Sequence, residues 1–264
     1  MPRLRLIIIS LFLAHSASAG PLDQCAEHLP FGIPTLAASV QTTALCHVGF
    51  AALHDDDLLV PRWVAYHLTG QHSLGCVKRT NNFHSDPNLD PNHRATPSDY
   101  LQSGYDKGHQ APAQDFAWNI DRMKDSFSMA NMAPQLPGLN RQQWLRLEES
   151  VRAWATDRQE LIIYVGPVLL NPKETISKHH IVVPTAFWKV VVDPLTHASL
   201  AFLMPQQNIV KSKLDPWQVP IDEIEQTTGI TLPLPRDADI HVVPSLWKVN
   251  IAAWNRKHKL NCGG

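Results

Sequence analysis

The sequence lacks the signatures that announce most enzyme classes. It contains no Gly-x-Gly-x-x-Gly, no phosphate-binding loop, no Gly-x-Ser-x-Gly and no His-Glu-x-x-His. Nucleotide-binding dehydrogenases, phosphate-loop enzymes, most α/β-hydrolases and zincin proteases therefore leave the front rank. Charge of one sign is missing too: 23 Lys and Arg face 24 Asp and Glu, a formal net charge of −1. No global basic field advertises a polyanionic partner, so any such partner must meet a local patch. There is no internal repeat, low-complexity tract or Ser/Gly linker, and beyond the first twenty residues no apolar run could span a bilayer. Cysteine is scarce, with four residues and no Cys-x-x-Cys, and the spacings match no zinc knuckle.

What remains is ordinary globular material: 264 residues, 44% hydrophobic and 18% charged. The 21 prolines are spread along the chain, which suggests many short elements joined by turns. Short apolar or β-branched runs bounded by Pro, Gly or Asp predict strands at Cys46–Leu53, Trp63–Leu68, Phe127–Ala130, Leu161–Val165, Phe187–Val192 and Ser199–Met204. A helix is expected over Leu139–Ala155, and a shorter one at Ile221–Thr228 stopped by Gly229. Strands outnumber helices and no βαβ rhythm is visible. The expected class is α+β, a central antiparallel sheet flanked by few helices.

The first nineteen residues look like a signal peptide. Arg3 and Arg5 precede the apolar stretch Leu6–Ala14, and Ala17-Ser18-Ala19 supplies small residues where a signal peptidase cuts. Removing residues 1–19 would take away two arginines and no acid, moving the formal charge from −1 to −3. The expected mature protein is one domain, residues 20–264, periplasmic or secreted. In an oxidising compartment Cys25, Cys46, Cys76 and Cys262 should form two disulfides. Four cysteines allow three connectivities, of which Cys25–Cys46 with Cys76–Cys262 is favoured.

Two segments carry the chemistry. Asp106-Lys107-Gly108-His109 packs an acid, a base and an imidazole into four residues. Asn131-Met132-Ala133-Pro134-Gln135 is followed by Asn140, Trp144, Glu148 and Arg152 at four-residue spacing. In an α-helix each such step advances about 40° around the axis, so these four would form one slowly drifting stripe. An amide, an indole, a carboxylate and a guanidinium in line do not make a core stripe. Glu148 and Arg152 are also placed for an i,i+4 ion pair.

These segments resemble the DNA/RNA non-specific endonuclease family, which includes secreted bacterial sugar-non-specific nucleases and mitochondrial endonuclease G. The family signature is an Asp-Arg-Gly-His box, an Asn-x-(Ala/Thr)-Pro-Gln box and a helix carrying Asn, Trp and Glu. Further segments resemble it in the same order, among them Pro61–Tyr66, Arg79–Phe83 with Asp86, Asp99-Tyr100 and Val183–Lys189. The resemblance implies a ββα-metal (His-Me finger) fold and a metal-dependent phosphodiesterase acting on DNA and RNA with little sequence specificity, leaving 5′-phosphate and 3′-hydroxyl ends. It assigns His109 as general base, Asn140 as ligand of Mg²⁺ (Mn²⁺ being a substitute), and Glu148 as a partner of metal-bound water. Lys107 and Arg152 would face the phosphate, and Asn131 would hold the histidine loop or the phosphate. One departure stands out: the box has Lys107 where arginine is usual, a point charge in place of a planar fork. The alternative this leaves open is an exported nucleic-acid-binding module on the same scaffold with weak catalysis. No membrane association and no obligate protein partner are expected.

Other clusters read more simply. His54-Asp55-Asp56-Asp57 suits a hairpin turn, and His179-His180 with His84 or His93 lacks the spacing of a zinc site. From Ile240 to Gly264 there is no acid, while Lys248, Arg256, Lys257 and Lys259 add four positive charges. That end could steer a phosphate backbone or simply be solvated.

Overall fold

The structure, a computed structural model, describes residues 20–263, and the expected signal peptide lies outside them. In chain order the strands are β1 (Thr35–Leu36), β2 (Thr42–Cys46), β3 (Ala51–Asp55), β4 (Val60–Thr69), β5 (Asp106–His109), β6 (Met132–Gln135), β7 (Glu160–Val168), β8 (Thr175–Ile176), β9 (Ile181–Val182), β10 (Ala186–Val192), β11 (Ser199–Pro205) and β12 (Ile230–Thr231). The α-helices are α1 (Ile120–Asp125), α2 (Leu145–Arg158), α3 (Ile221–Thr228) and α4 (Ile251–Asn261). Six strands form an antiparallel sheet in the order β11-β10-β7-β4-β3-β2.

Side chains on a strand alternate between faces, and here both faces are covered. On one face Val64, Tyr66 and Leu68 of β4, Ile163 and Val165 of β7 and Phe187 and Val191 of β10 pack under α2 and the β5–β6 pair. On the other, Trp63, Ala65, Ile162, Tyr164, Trp188 and Val190 pack against the N-terminal segment and α3. Double coverage explains why β4, β7 and β10 are mostly apolar on both faces, with Arg62, His67 and Lys189 the basic interruptions, in place of the regular polar alternation of a half-exposed antiparallel sheet.

The expected strands at Leu161–Val165, Phe187–Val192 and Ser199–Met204 lie inside β7, β10 and β11, and α3 spans Ile221–Thr228 with Gly229 left-handed at φ 67°. Two expectations need correction. Cys46–Leu53 is a hairpin corner and not one strand: the chain turns at Gly49, and the His47 amide donates to the Phe50 carbonyl at 2.9 Å. Phe127–Ala130 is likewise no strand, because the Ser128 hydroxyl caps a tight turn over Met129–Asn131 by accepting from the Ala130 amide. The extended segment starts one turn later, at β6. The polar run from His54 does make the β3–β4 turn, with Asp55 accepting from the Asp57 and Leu58 amides. Both disulfides, Cys25–Cys46 and Cys76–Cys262, are formed as favoured.

The helix after β6 is not α-helical throughout. Leu139–Trp144 is a π-helical turn that leads into α2. A π turn is wider than an α turn and recurs at functional sites. The even 40° drift expected from Asn140 to Trp144 is lost across it. Trp144 turns fully into the core, while Asn140 stays half-buried at the surface. Among the described residues no helix is long and apolar enough to cross a membrane.

Candidate active site

β5 and β6 form an antiparallel pair that places Lys107 opposite Pro134 and His109 opposite Met132. Gly108 between them sits so close to the partner strand that a β-carbon would lie 2.5 Å from Gln135 Oε1 and 3.0 Å from the Ala133 carbonyl. No other residue fits there, which accounts for the glycine of the box. The pair and the following helix compose a β-β-α unit. They enclose an open cleft of about 380 Å³, lined by Lys107, His109, Gln114, Asn140, Glu148 and Arg152, with Arg79 and Arg141 at its edges. Residues as far apart as 107 and 152 thus converge on one cleft.

His109 is 8% exposed, and its Nε2 atom has no hydrogen-bond partner. Phe83 and Phe127 flank the ring, with centroids 5.6 Å and 5.2 Å away. Burial, reinforced by the positive charge of Arg79, lowers its pKa from 6.5 to about 3, while a backbone hydrogen bond at Lys107 works the other way. The imidazole is therefore neutral at neutral pH, as a base must be. An anion arriving beside it would favour the protonated form and restore basicity when substrate is present.

Asn140 donates from Nδ2 to Asp106 Oδ2 at 2.9 Å. Arg141 grips the same carboxylate from the other side, with Nε 2.8 Å from Oδ2. Asp106 thus orients the asparagine amide and leaves its carbonyl oxygen for the cleft. Glu148 is pushed up to about 7 by burial, against the opposing pull of Lys189, Arg152 and Arg79. Lys107 lies in the cleft with its ammonium 5.1 Å from the Phe83 ring and 5.7 Å from that of Tyr100.

Arg152 does not form the ion pair that its spacing from Glu148 suggests. It is 3% exposed, and its guanidinium donates to Asp115 Oδ1 at 2.9 Å. Asp115 in turn accepts from the Tyr66 hydroxyl at 2.8 Å. A carboxylate on the neighbouring turn of the same helix loses to one 37 residues away because the latter is buried and already oriented. Asn131 stands apart from the cleft. It is fully buried, accepts from the Ala111 amide at 2.9 Å, and donates to the carbonyls of Ala111 at 2.8 Å and Ser126 at 2.9 Å. It pegs the segment that follows His109 from behind.

Sequence reasoning passed over several residues that shape the site. Arg79 and Lys189 lay inside segments recognised by resemblance, but no role was attached to them. Asp106 was visible in the box, and Gln114 and Asp115 carried no signal. Lys189 is fully buried beneath the cleft, its Nζ without a hydrogen-bond partner and 4.9 Å from the Trp144 ring. Burial lowers its pKa, opposed by Glu148 and Asp115.

Among the described residues no three His, Cys, Asp or Glu side chains come together as a metal cage. An ion here would rest on few protein atoms and keep most of its waters. The Asn140 amide oxygen and the nearby Glu148 carboxylate, neither hydrogen-bonded to protein among the described residues, suit a hard divalent cation of that habit. His179 is taken up by Asp99, whose Oδ1 lies 2.7 Å from its Nδ1.

Comparison with known proteins agrees with this architecture. A model of the DNA/RNA non-specific endonuclease family matches residues 28–237. Human mitochondrial endonuclease G is 30% identical over 221 residues, covering 77% of this chain and 72% of that protein. The bovine protein is 32% identical over 183 residues, 64% of this chain and 61% of its own length. Nuclease C1 of Cunninghamella echinulata var. echinulata is 32% identical over 190 residues, 65% of this chain and 75% of its own. A chain of the solved EndoG/EndoGI complex superposes with a TM-score of 0.73 at 28% identity, covering 84% of this chain and 96% of that one. The chain thus spans roughly three fifths to three quarters of the length of these curated relatives.

Proposed function

This chain belongs to the DNA/RNA non-specific endonuclease family, and on that premise we propose that it is an exported, metal-dependent nuclease that hydrolyses phosphodiester bonds of DNA and RNA with little sequence preference. The observation that carries this reading is the convergence in one cleft of a neutral imidazole, an oriented asparagine amide and a half-buried glutamate.

The steps follow from what each side chain can do. The His109 imidazole accepts a proton from a water lying against the phosphodiester, and that water's oxygen attacks phosphorus as the bond to the 3′ oxygen breaks. The departing oxygen takes a proton from solvent, which leaves 3′-hydroxyl and 5′-phosphate ends. Lys107 and Arg152 supply positive charge where negative charge gathers on the phosphoryl oxygens. Asn140, held by Asp106, and Glu148, through a water, would hold a Mg²⁺ ion (or Mn²⁺ in its place). When bound, that ion supplies Lewis-acid stabilisation of the phosphate oxygens and of the leaving group. Asn131 keeps the backbone after His109 in register and touches none of the reacting atoms.

The two disulfides support export, since such bonds persist in oxidising compartments. Residues 20–264 are proposed as the mature single domain, a point that the intact mass of exported protein tests. The function itself is tested by incubating purified mature protein with plasmid and with structured RNA, in Mg²⁺ and in EDTA, and mapping the ends. Cleavage of both in Mg²⁺, abolished by EDTA, is expected. Retention of either polymer in gel shifts without cleavage at any metal concentration would refute the nuclease and favour the binding module.

A further inference from the structure

The family match ends at residue 237, yet α4, residues 251–261, packs against α2, the helix that carries Glu148 and Arg152 into the cleft. Its one buried side chain is Trp254, and the Arg152 guanidinium lies over that indole at 5.2 Å. Arg152 is thus held on two sides, by the Trp254 face and by the Asp115 carboxylate at 2.9 Å. Its Nε is buried without a protein partner, a donor left over for a ligand in the cleft that the guanidinium lines.

Trp254 is itself pinned. Its indole Nε1 donates to Ser73 Oγ at 3.4 Å, and Ser73 bonds Thr156 of α2 at 3.0 Å, one turn beyond Arg152. Further along α4, His258 Nε2 lies 2.9 Å from the Gly75 carbonyl, Asn261 donates to the Leu74 carbonyl at 2.8 Å, and Cys262 is bonded to Cys76. The 73–76 segment also abuts the stretch that carries Asp115: a β-carbon on Gly75 would lie 2.2 Å from the Ala117 carbonyl carbon. One disulfide-tied assembly therefore sets both neighbours of the guanidinium.

We propose that Trp254 is a positioning residue for Arg152, and that the C-terminal helix with its Cys76–Cys262 tether is the device that aims this guanidinium at the scissile phosphate. A free guanidinium swings among rotamers, whereas one clamped between an aromatic face and a carboxylate presents its remaining donors in one direction. The inference rests on the phosphate-facing role given to Arg152 above.

The test is a double-mutant cycle on the full mature chain, read as kcat and KM on plasmid DNA in saturating Mg²⁺. Trp254→Leu should lower kcat roughly 5- to 30-fold, the worth of a desolvated cation–π contact, with KM little changed. Trp254→Phe, which keeps an aromatic face, should recover most of the loss. In an Arg152→Ala background, Trp254→Leu should cost nothing further, because its target is gone. The paired substitution Cys76→Ser/Cys262→Ser should show the same loss and the same disappearance, which keeps the test alive if Trp254→Leu does not fold. Parental kcat in Trp254→Leu, or equal losses with and without Arg152, would overturn the clamp. A slow Arg152→Ala beside a fast Trp254→Leu would sink the clamp alone, whereas parental rates in Arg152→Ala would sink the catalytic reading of Arg152 and the clamp together.

Discussion

Replacing Asn131 by alanine should damage the fold first and the chemistry second. The side chain is completely buried and makes three hydrogen bonds, one accepted from the Ala111 amide and two donated to the Ala111 and Ser126 carbonyls. The substitution leaves three backbone groups with no partner in a dry environment. An orphaned buried group costs about 1–3 kcal/mol, and partial relaxation should hold the total to roughly 3–5 kcal/mol. For a protein of this size each kcal/mol moves Tm by about 2–4 °C, so a fall of roughly 6–20 °C is expected. Asn131→Asp should be no milder, because it keeps the acceptor but sets a carboxylate against two carbonyl oxygens. Urea and thermal unfolding followed by circular dichroism measure the loss. Initial cleavage rates at a temperature where the variant is folded then separate the two roles, since the Gln110 amide, next to His109, also bonds the Asn131 carbonyl at 3.0 Å. A stability loss below about 1 kcal/mol together with a collapse of kcat would refute the reasoning and move Asn131 onto the substrate.

Three further expectations concern the base, the basic side chain of the box and the acid limb of stability. His109→Ala should lose about 10²–10⁴-fold or more in turnover at every Mg²⁺ concentration, whereas the defect of Asn140→Ala should ease as Mg²⁺ rises, by mass action on a weakened site; a metal titration of initial rates decides, and rescue of His109→Ala alone would exchange the two roles. Lys107→Arg should keep or raise activity and Lys107→Ala should lower it, as steady-state rates on plasmid would show; an alanine variant as fast as the parent would place Lys107 outside the reaction. Stability should fall as pH drops from about 6.5 toward 4, because burial holds His28 neutral with its pKa lowered from 6.5 to about 4 and the unfolded chain takes up that proton first. The His28 share is on the order of 3 kcal/mol at most, present in full above the unfolded pKa, so His28→Gln should flatten the pH dependence of the denaturation free energy. An unchanged slope would remove His28 from the account.

Local spacing and composition were enough for the parts of this protein that local physics governs. The β7, β10 and β11 runs declared themselves because most of their side chains are apolar and buried. The β5–β6 boxes and the helix after them were legible because a glycine forced by strand contact and a fixed run of polar residues survive in one dimension. The disulfide pairing was a choice among three, and packing settled it. Tertiary structure alone decided the rest. The 40° stripe assumed an unbroken α-helix, and a π turn displaced it. Arg152 exchanged a neighbouring glutamate for Asp115, and burial, with Arg79 nearby, pulled the His109 pKa down to about 3. The C-terminal helix went unseen because it buries a single tryptophan, too little apolar periodicity to register, and a bond spanning 186 residues sets its place. Spacing along a chain reports which side chains can share a face, whereas ionisation and pairing depend on burial by residues far away in sequence, and only the folded chain brings those together.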